Sequence, residues 1–139
     1  MNKKLITHNH YNHYSAQKRH LLQFGTFGFK VMSFSRISEN QIEVISWLIQ
    51  KKLKKISGKN NFKFWFLIYP NLYLTKLSLE ARMGKGKGPF NTYAFFIKAG
   101  TILCEFDNLS LSEIKKVFKF INKKFPGKLK LINNTYKPV

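Results

Sequence analysis

Residues 93 to 113 read Tyr93-Ala94-Phe95-Phe96-Ile97-Lys98-Ala99-Gly100-Thr101-Ile102-Leu103-Cys104-Glu105-Phe106-Asp107-Asn108-Leu109-Ser110-Leu111-Ser112-Glu113. Two apolar, β-prone runs, Tyr93 to Lys98 and Thr101 to Phe106, flank the short Ala99-Gly100 interruption, a pattern that predicts a β-hairpin. The next segment changes period. Ser110-Leu111-Ser112-Glu113 has the capping-box spacing, in which a serine hydroxyl accepts from the third helical amide and the glutamate reaches back to the cap. Ile114, Val117, Phe118, Ile121 and Phe125 then share one helical face until Pro126-Gly127 ends it. Lys128 to Ile132 is expected to return as a final strand.

Working toward the N-terminus, Arg82-Met83-Gly84-Lys85-Gly86-Lys87-Gly88-Pro89 is a loop, since alternating glycine and lysine suits neither a helix nor a central strand. Leu72 to Leu79 is a second extended segment. The aromatic run Phe62 to Tyr69, ended by Pro70-Asn71, predicts a buried strand. Ser38-Glu39-Asn40-Gln41 is another capping box, and Ile42, Ile45, Ile49, Leu53 and Ile56 follow at helical spacing until Ser57-Gly58. Helices are thus expected over Ser38 to Ile56 and Ser110 to Lys124. Phe24 to Phe34 is extended, with a bend or close approach at Gly25 and Gly28. The elements lack a βαβ rhythm, so the fold class is α+β: two helices packed on mostly antiparallel strands.

At 139 residues the chain is sized for one domain. The division expected is a basic N-terminal arm, residues 1–22, and a single domain, residues 23–139. His8, His10, His13 and His20 lie in the arm, but no cysteine or carboxylate accompanies them there, so a polar arm is favoured over a metal site. No cofactor is expected. The arm is acid-free yet has only Arg19 and is rich in Asn, His and Tyr, unlike a presequence.

Charge narrows the partners. Lysine and arginine total 25 against 6 carboxylates, a formal net charge of +19, while 44% of residues are hydrophobic, enough for a packed core. A surface this cationic repels itself and calls for a polyanion, best supplied by nucleic acid, whose phosphates release counterions on binding. A membrane surface fits less well, because the lysines spread from Lys3 to Lys137 rather than forming one basic cluster or amphipathic helix. No apolar stretch is long enough to span a bilayer.

The six carboxylates, Glu39, Glu43, Glu80, Glu105, Asp107 and Glu113, show no metal-protease or paired-acid spacing. The single Cys104 excludes an intrachain disulfide and sits in an apolar run as a small buried thiol. Lys51, Lys52, Lys54 and Lys55 load the C-terminal end of the first helix, where they suit its dipole and can also grip phosphates. A solvated lysine face explains them equally. In the Gly/Lys loop, the Walker spacing is absent. Gly84, Gly86 and Gly88 allow close backbone approach to RNA while Arg82, Lys85 and Lys87 meet phosphates or bases; a flexible surface loop is the plainer alternative.

Arg82-Met83-Gly84-Lys85-Gly86-Lys87-Gly88 resembles the signature loop of the bacterial-type large-subunit ribosomal protein L-sixteen family, related to the L-ten-e proteins. The likeness extends to Phe24-Gly25-Thr26-Phe27-Gly28-Phe29-Lys30, Gln41-Ile42-Glu43, Trp65 with Tyr69-Pro70, Tyr93, Gly100 with Leu103 and Glu105, and Pro126. It covers about residues 24 to 132 in order. Ser46 and Trp47 stand where the family usually has arginines, Leu67 replaces a strand arginine and Ala99 a turn proline. The resemblance implies a structural constituent of the large ribosomal subunit that binds rRNA near the aminoacyl-tRNA site and supports tRNA positioning and subunit assembly. Its partners would be large-subunit rRNA, tRNA and neighbouring ribosomal proteins, without a membrane span or homo-oligomer.

The expected RNA-binding residues are Lys30, Arg36, Lys51, Lys54, Lys55, Arg82, Gly84, Lys85, Gly86, Lys87 and Gly88; no catalytic or metal residue is expected. A basic RNA-processing or RNA-modifying enzyme is the alternative, and it lacks a convincing acid, base or nucleophile. Because 22 of the 25 basic residues are lysine and Phe, Ile and Asn abound, codon usage suggests an A/T-rich genome. A mitochondrial ribosome with an organelle-encoded protein is the expected location, with a plastid or bacterial cytoplasm as alternatives.

Overall fold

A computed structural model describes residues 20–58 and 61–134. Within them the chain runs β1 Phe27–Val31, β2 Ser35–Ser38, α1 Glu39–Ser57, β3 Lys63–Phe66, β4 Leu72–Thr75, β5 Phe90–Ile97, β6 Ile102–Asp107, α2 Leu111–Asn122 and β7 Leu129–Asn133. The strands form two antiparallel sheets: a four-stranded sheet ordered β3-β6-β1-β7 and a three-stranded sheet ordered β2-β5-β4. The α+β expectation is met.

The predicted hairpin is not. β5 pairs with β2 and β4, whereas β6 pairs with β1 and β3, so the turn between them carries the chain from one sheet to the other. The Gly100 N–H donates to the Val31 carbonyl at 2.6 Å and the Val31 N–H to Thr101 at 2.9 Å, seating the turn on the end of β1. Both edges of each strand are then satisfied by partners distant in sequence. A short turn signal cannot distinguish a hairpin from a change of sheet, because nothing local records which edges are already occupied.

Both capping boxes form. Gln41 donates its N–H to Ser38 Oγ at 3.4 Å and Ser38 donates its own to Gln41 Oε1 at 3.1 Å. At α2, Glu113 N–H bonds Ser110 Oγ at 3.3 Å and Ser110 N–H bonds Glu113 Oε2 at 2.8 Å. The second helix ends two residues earlier than its pattern suggested. There the N–H groups of Lys124 and Phe125 both turn to the Ile121 carbonyl at 2.9 Å, and Phe125 reaches the core from a tight turn rather than from the helix.

Ile42, Ile45, Ile49 and Leu53 of α1 and Ile114, Val117 and Ile121 of α2 are buried, and the helices contact each other as well as the sheets. They close over Phe29, Val31, Phe106 and Leu103 from the larger sheet and over Ile37 and Ile97 from the smaller, giving one continuous core. Phe29 lies at its centre, 4.8 Å from the Phe106 ring and 5.4 Å from that of Phe118.

The Phe62 to Tyr69 run is a correction. Only Lys63–Phe66 is strand, it lies at the sheet edge, and its aromatic residues are half-buried, leaving Ile68 as the fully enclosed residue. Apolar composition alone cannot separate an edge strand leaning on aromatic neighbours from a central one. The second extended segment also stops early: pairing shifts register at a bulge between Leu74 and Thr75 and ends with Thr75 opposite Phe90, and residues 76–80 are exposed.

Candidate nucleic-acid interface

The interface is built from what the sheets leave outward. On β1, Phe27, Phe29 and Val31 face the core, so Gly28 and Lys30 face away from it. Register places Glu105 of β6 beside Gly28 and Trp65 of β3 beside Glu105. Glu105 is fully buried although it is on the sheet face opposite the core, because the chain entering β1 folds over it. Its carboxylate accepts from three successive backbone N–H groups: Gln23 at 3.1 Å to both oxygens, Phe24 at 2.6 Å and Gly25 at 2.8 Å. Phe24 stacks on Trp65 with centroids 5.8 Å apart, and Leu22 covers Gly28. Gly25 permits this approach, since a Cβ there would collide with the Phe106 backbone.

A carboxylate buried without partners is costly, whereas one that accepts several N–H bonds is a structural anchor. Glu105 thereby fixes where the N-terminal segment leaves the domain. Its sequence signal was a lone carboxylate inside the apolar run Ile102 to Phe106. Neighbouring Cys104 is fully buried; burial pushes its thiol pKa well up, with Glu105 adding to the rise and a backbone hydrogen bond from Phe29 opposing it. This is an inert thiol, as expected.

The Gly/Lys loop projects between β4 and β5. Its base is closed by the Lys76 N–H to the Pro89 carbonyl at 3.1 Å and by packed rings, Tyr73 to Phe90 at 4.7 Å and Phe90 to Tyr93 at 4.9 Å. Beyond that base, residues 81–87 are all exposed, with Met83 94% accessible. Gly84 and Gly86 have φ of +83° and +97°, and a Cβ at either would touch nothing. Their glycine identity is set by backbone conformation. Gly88 differs: a Cβ there would lie 2.5 Å from the Lys76 carbonyl oxygen, so it serves the loop's base.

The eleven expected RNA-binding residues do not form one patch. Arg82, Gly84, Lys85, Gly86 and Lys87 are in the exposed loop, with Gly88 at its base. Arg36 pairs across β2 and β5 with Phe96, six residues along β5 from the loop's end at Phe90, about 20 Å away. Lys30 lies opposite Lys130 across β1 and β7, a like-charge pair, and sequence reading did not single out Lys130. Lys51, Lys54 and Lys55 are exposed on the last turns of α1, and the Lys51 ammonium stands 4.6 Å from the centroid of Trp47.

Residues 1–19 of the arm, with His8, His10 and His13, lie outside the described residues. Among the described residues, no group of three metal-ligating side chains occurs, and no helix is long and apolar enough to cross a membrane.

An α+β domain with cationic residues on a projecting loop, a sheet face and a helix end, and with Glu105 and Glu113 held in a clamp and a cap, suits an architectural nucleic-acid-binding protein. The chain belongs to the family described as ribosomal protein L16p/L10e, whose model matches residues 1–132. It is similar to large ribosomal subunit protein uL16m of Chondrus crispus, 45% identical over 119 residues that cover 85% of this chain and 86% of the relative. Similar too are uL16c of Cyanidium caldarium, 35% identical over 86% of this chain and 81% of the relative, and uL16 of Ureaplasma urealyticum, 34% identical over 80% and 77%. The protein is a structural, rRNA-binding constituent of the large ribosomal subunit and not an enzyme.

Proposed function

We propose that the protein acts in a mitochondrial large subunit as an electrostatic and architectural clamp, neutralising converging rRNA phosphates while presenting its Gly/Lys loop to tRNA near the aminoacyl site. The observation carrying this reading is the loop itself: a rigid aromatic base beneath an exposed tip bearing Arg82, Lys85 and Lys87. Such a tip contributes nothing to the core, so its cations are available to an external anion. Lys30 with Lys130, Arg36, and the α1 lysines 51, 54 and 55 are separate phosphate contacts that fix orientation on the rRNA. The chain divides into a basic arm, residues 1–22, whose charge adds to RNA binding, and a single rRNA-binding domain, residues 23–139. The mitochondrial assignment is supported by the likeness to a uL16m protein and by the A/T-biased composition, which also suits organelle encoding.

The test is translation by large subunits carrying loop variants. Removing Lys85 to Lys87 should leave the protein folded and co-sedimenting with the subunit while weakening aminoacyl-site tRNA binding or delaying late assembly. Arg82→Lys should impair tRNA binding more than Lys85→Arg, since only the first loses a planar fork able to stack and bond bidentately. Normal assembly and normal tRNA binding after deletion would refute the role given to the loop.

A further inference from the structure

One surface runs against the charge of the whole molecule. A groove of about 620 Å³ lies between α1 and the chain from β3 into the β3–β4 connection, with Glu39, Glu43, Ser46, Trp47, Tyr69 and Pro70 among its lining residues. Among the described residues its lining includes no lysine or arginine, in a chain that has 25, and holds two of the six carboxylates. Glu39 and Glu43 are four residues apart on one helix, a like-charged spacing that weakens the helix. The α1 dipole compensates Glu39 in the first turn, but Glu43 lies beyond it. Neither carboxylate is hydrogen-bonded or ion-paired among the described residues. Beside them Trp47 and Tyr69 are 57% and 56% accessible, and the Trp47 ring already stands near the Lys51 ammonium.

These features repel phosphate and suit a cation carried on an organic chain: aromatic faces take a guanidinium or ammonium, and carboxylates bond it. We propose that this groove docks an extended arginine- or lysine-bearing segment of a neighbouring protein of the same subunit, so that the domain meets RNA with its cationic surfaces and protein here. The partner's location rests on the ribosomal role; the recognition chemistry rests on the groove alone.

The test places the photo-reactive residue p-benzoylphenylalanine at Ser46 in the full chain, incorporated into intact large subunits, and identifies the cross-linked product by mass spectrometry. The expected product is a segment of another ribosomal protein containing arginine or lysine, with its yield falling at least five-fold when Glu39→Gln and Glu43→Gln are combined. Co-sedimentation of each variant with the subunit is measured alongside. Its loss in the photo-reactive chain with the native glutamates would count against the ribosomal placement, not the groove. A product on rRNA, a second copy of this chain, a yield indifferent to the two glutamates, or no product from a co-sedimenting chain would each overturn the docking proposal.

Discussion

The Glu105 clamp and the Gly/Lys loop apply the same groups to opposite ends. At Glu105, three backbone N–H groups converge on a carboxylate that the fold itself supplies, and the arrangement is buried and complete. In the loop, open backbone at Gly84 and Gly86 and the cations of Arg82, Lys85 and Lys87 face outward with no fold-supplied anion among them. The contrast separates structure from function by where the negative charge comes from. An internal acceptor stabilises the domain, whereas its absence leaves cations available to an external anion, the role proposed for the loop.

The largest effect should follow from breaking the internal case. Glu105→Ala leaves the buried Gly25 N–H and the part-buried N–H groups of Gln23 and Phe24 without their acceptor, which should together cost about 3 to 5 kcal/mol in denaturant unfolding, because an orphaned donor costs about 1 to 3 kcal/mol when buried and less where water reaches it. Hydrogen exchange at Phe24 and Gly25 should accelerate even where the core remains protected. Unchanged exchange at those two amides would show that the clamp does not hold the segment.

Core truncation provides the scale for that number. Ile45→Ala and Ile121→Ala remove side chains that are 3% and 0% accessible, from α1 and α2 respectively. Each should cost about 2 to 5 kcal/mol by chemical denaturation, as expected for cavity formation. Equal stability of both variants and the parent would mean that the helix faces are wrongly assigned.

The loop should behave in the reverse manner. Deleting Lys85 to Lys87 should change unfolding free energy by no more than about 0.5 kcal/mol, the range of surface changes that break no special feature. For binding to an rRNA fragment, the slope of log affinity against log salt should become shallower by about 2, one for each lysine removed. An unaltered slope would take both lysines off the phosphate contacts.

How legible these regions were differs for a physical reason. Both helices were readable because a capping box and a 3.6-residue period are local: Ser38 with Gln41 and Ser110 with Glu113 satisfy each other within four residues. The loop was readable because its glycine–lysine alternation excludes regular structure. The partition of β5 and β6 between sheets was not, since it depends on edges contributed by β1, β2, β3 and β4. The clamp was hidden likewise, with Glu105 and its donors about 80 positions apart. Lys130 became a candidate contact only when pairing placed it opposite Lys30.

Glu113 offers the smallest test, as an exposed counterpart of the clamp. The Ser110 backbone N–H and then its hydroxyl hold the Glu113 carboxyl below its ordinary value, against an opposing effect of desolvation, with nearby Lys116 adding the least to the lowering. A depressed folded-state pKa means that the ionised form is favoured by folding. Its stabilisation is therefore fully present above the unfolded-chain value near 4.5 and is lost as pH falls through the lower folded value. Thermal unfolding of Glu113→Gln and the parent should accordingly differ more at pH 6 than at pH 3, and the pH-dependent part should shrink in Ser110→Ala. Because the group is solvated, this difference should be far smaller than the Glu105→Ala loss. A pH-dependent difference as large as that loss would remove burial as the reason that the internal clamp dominates.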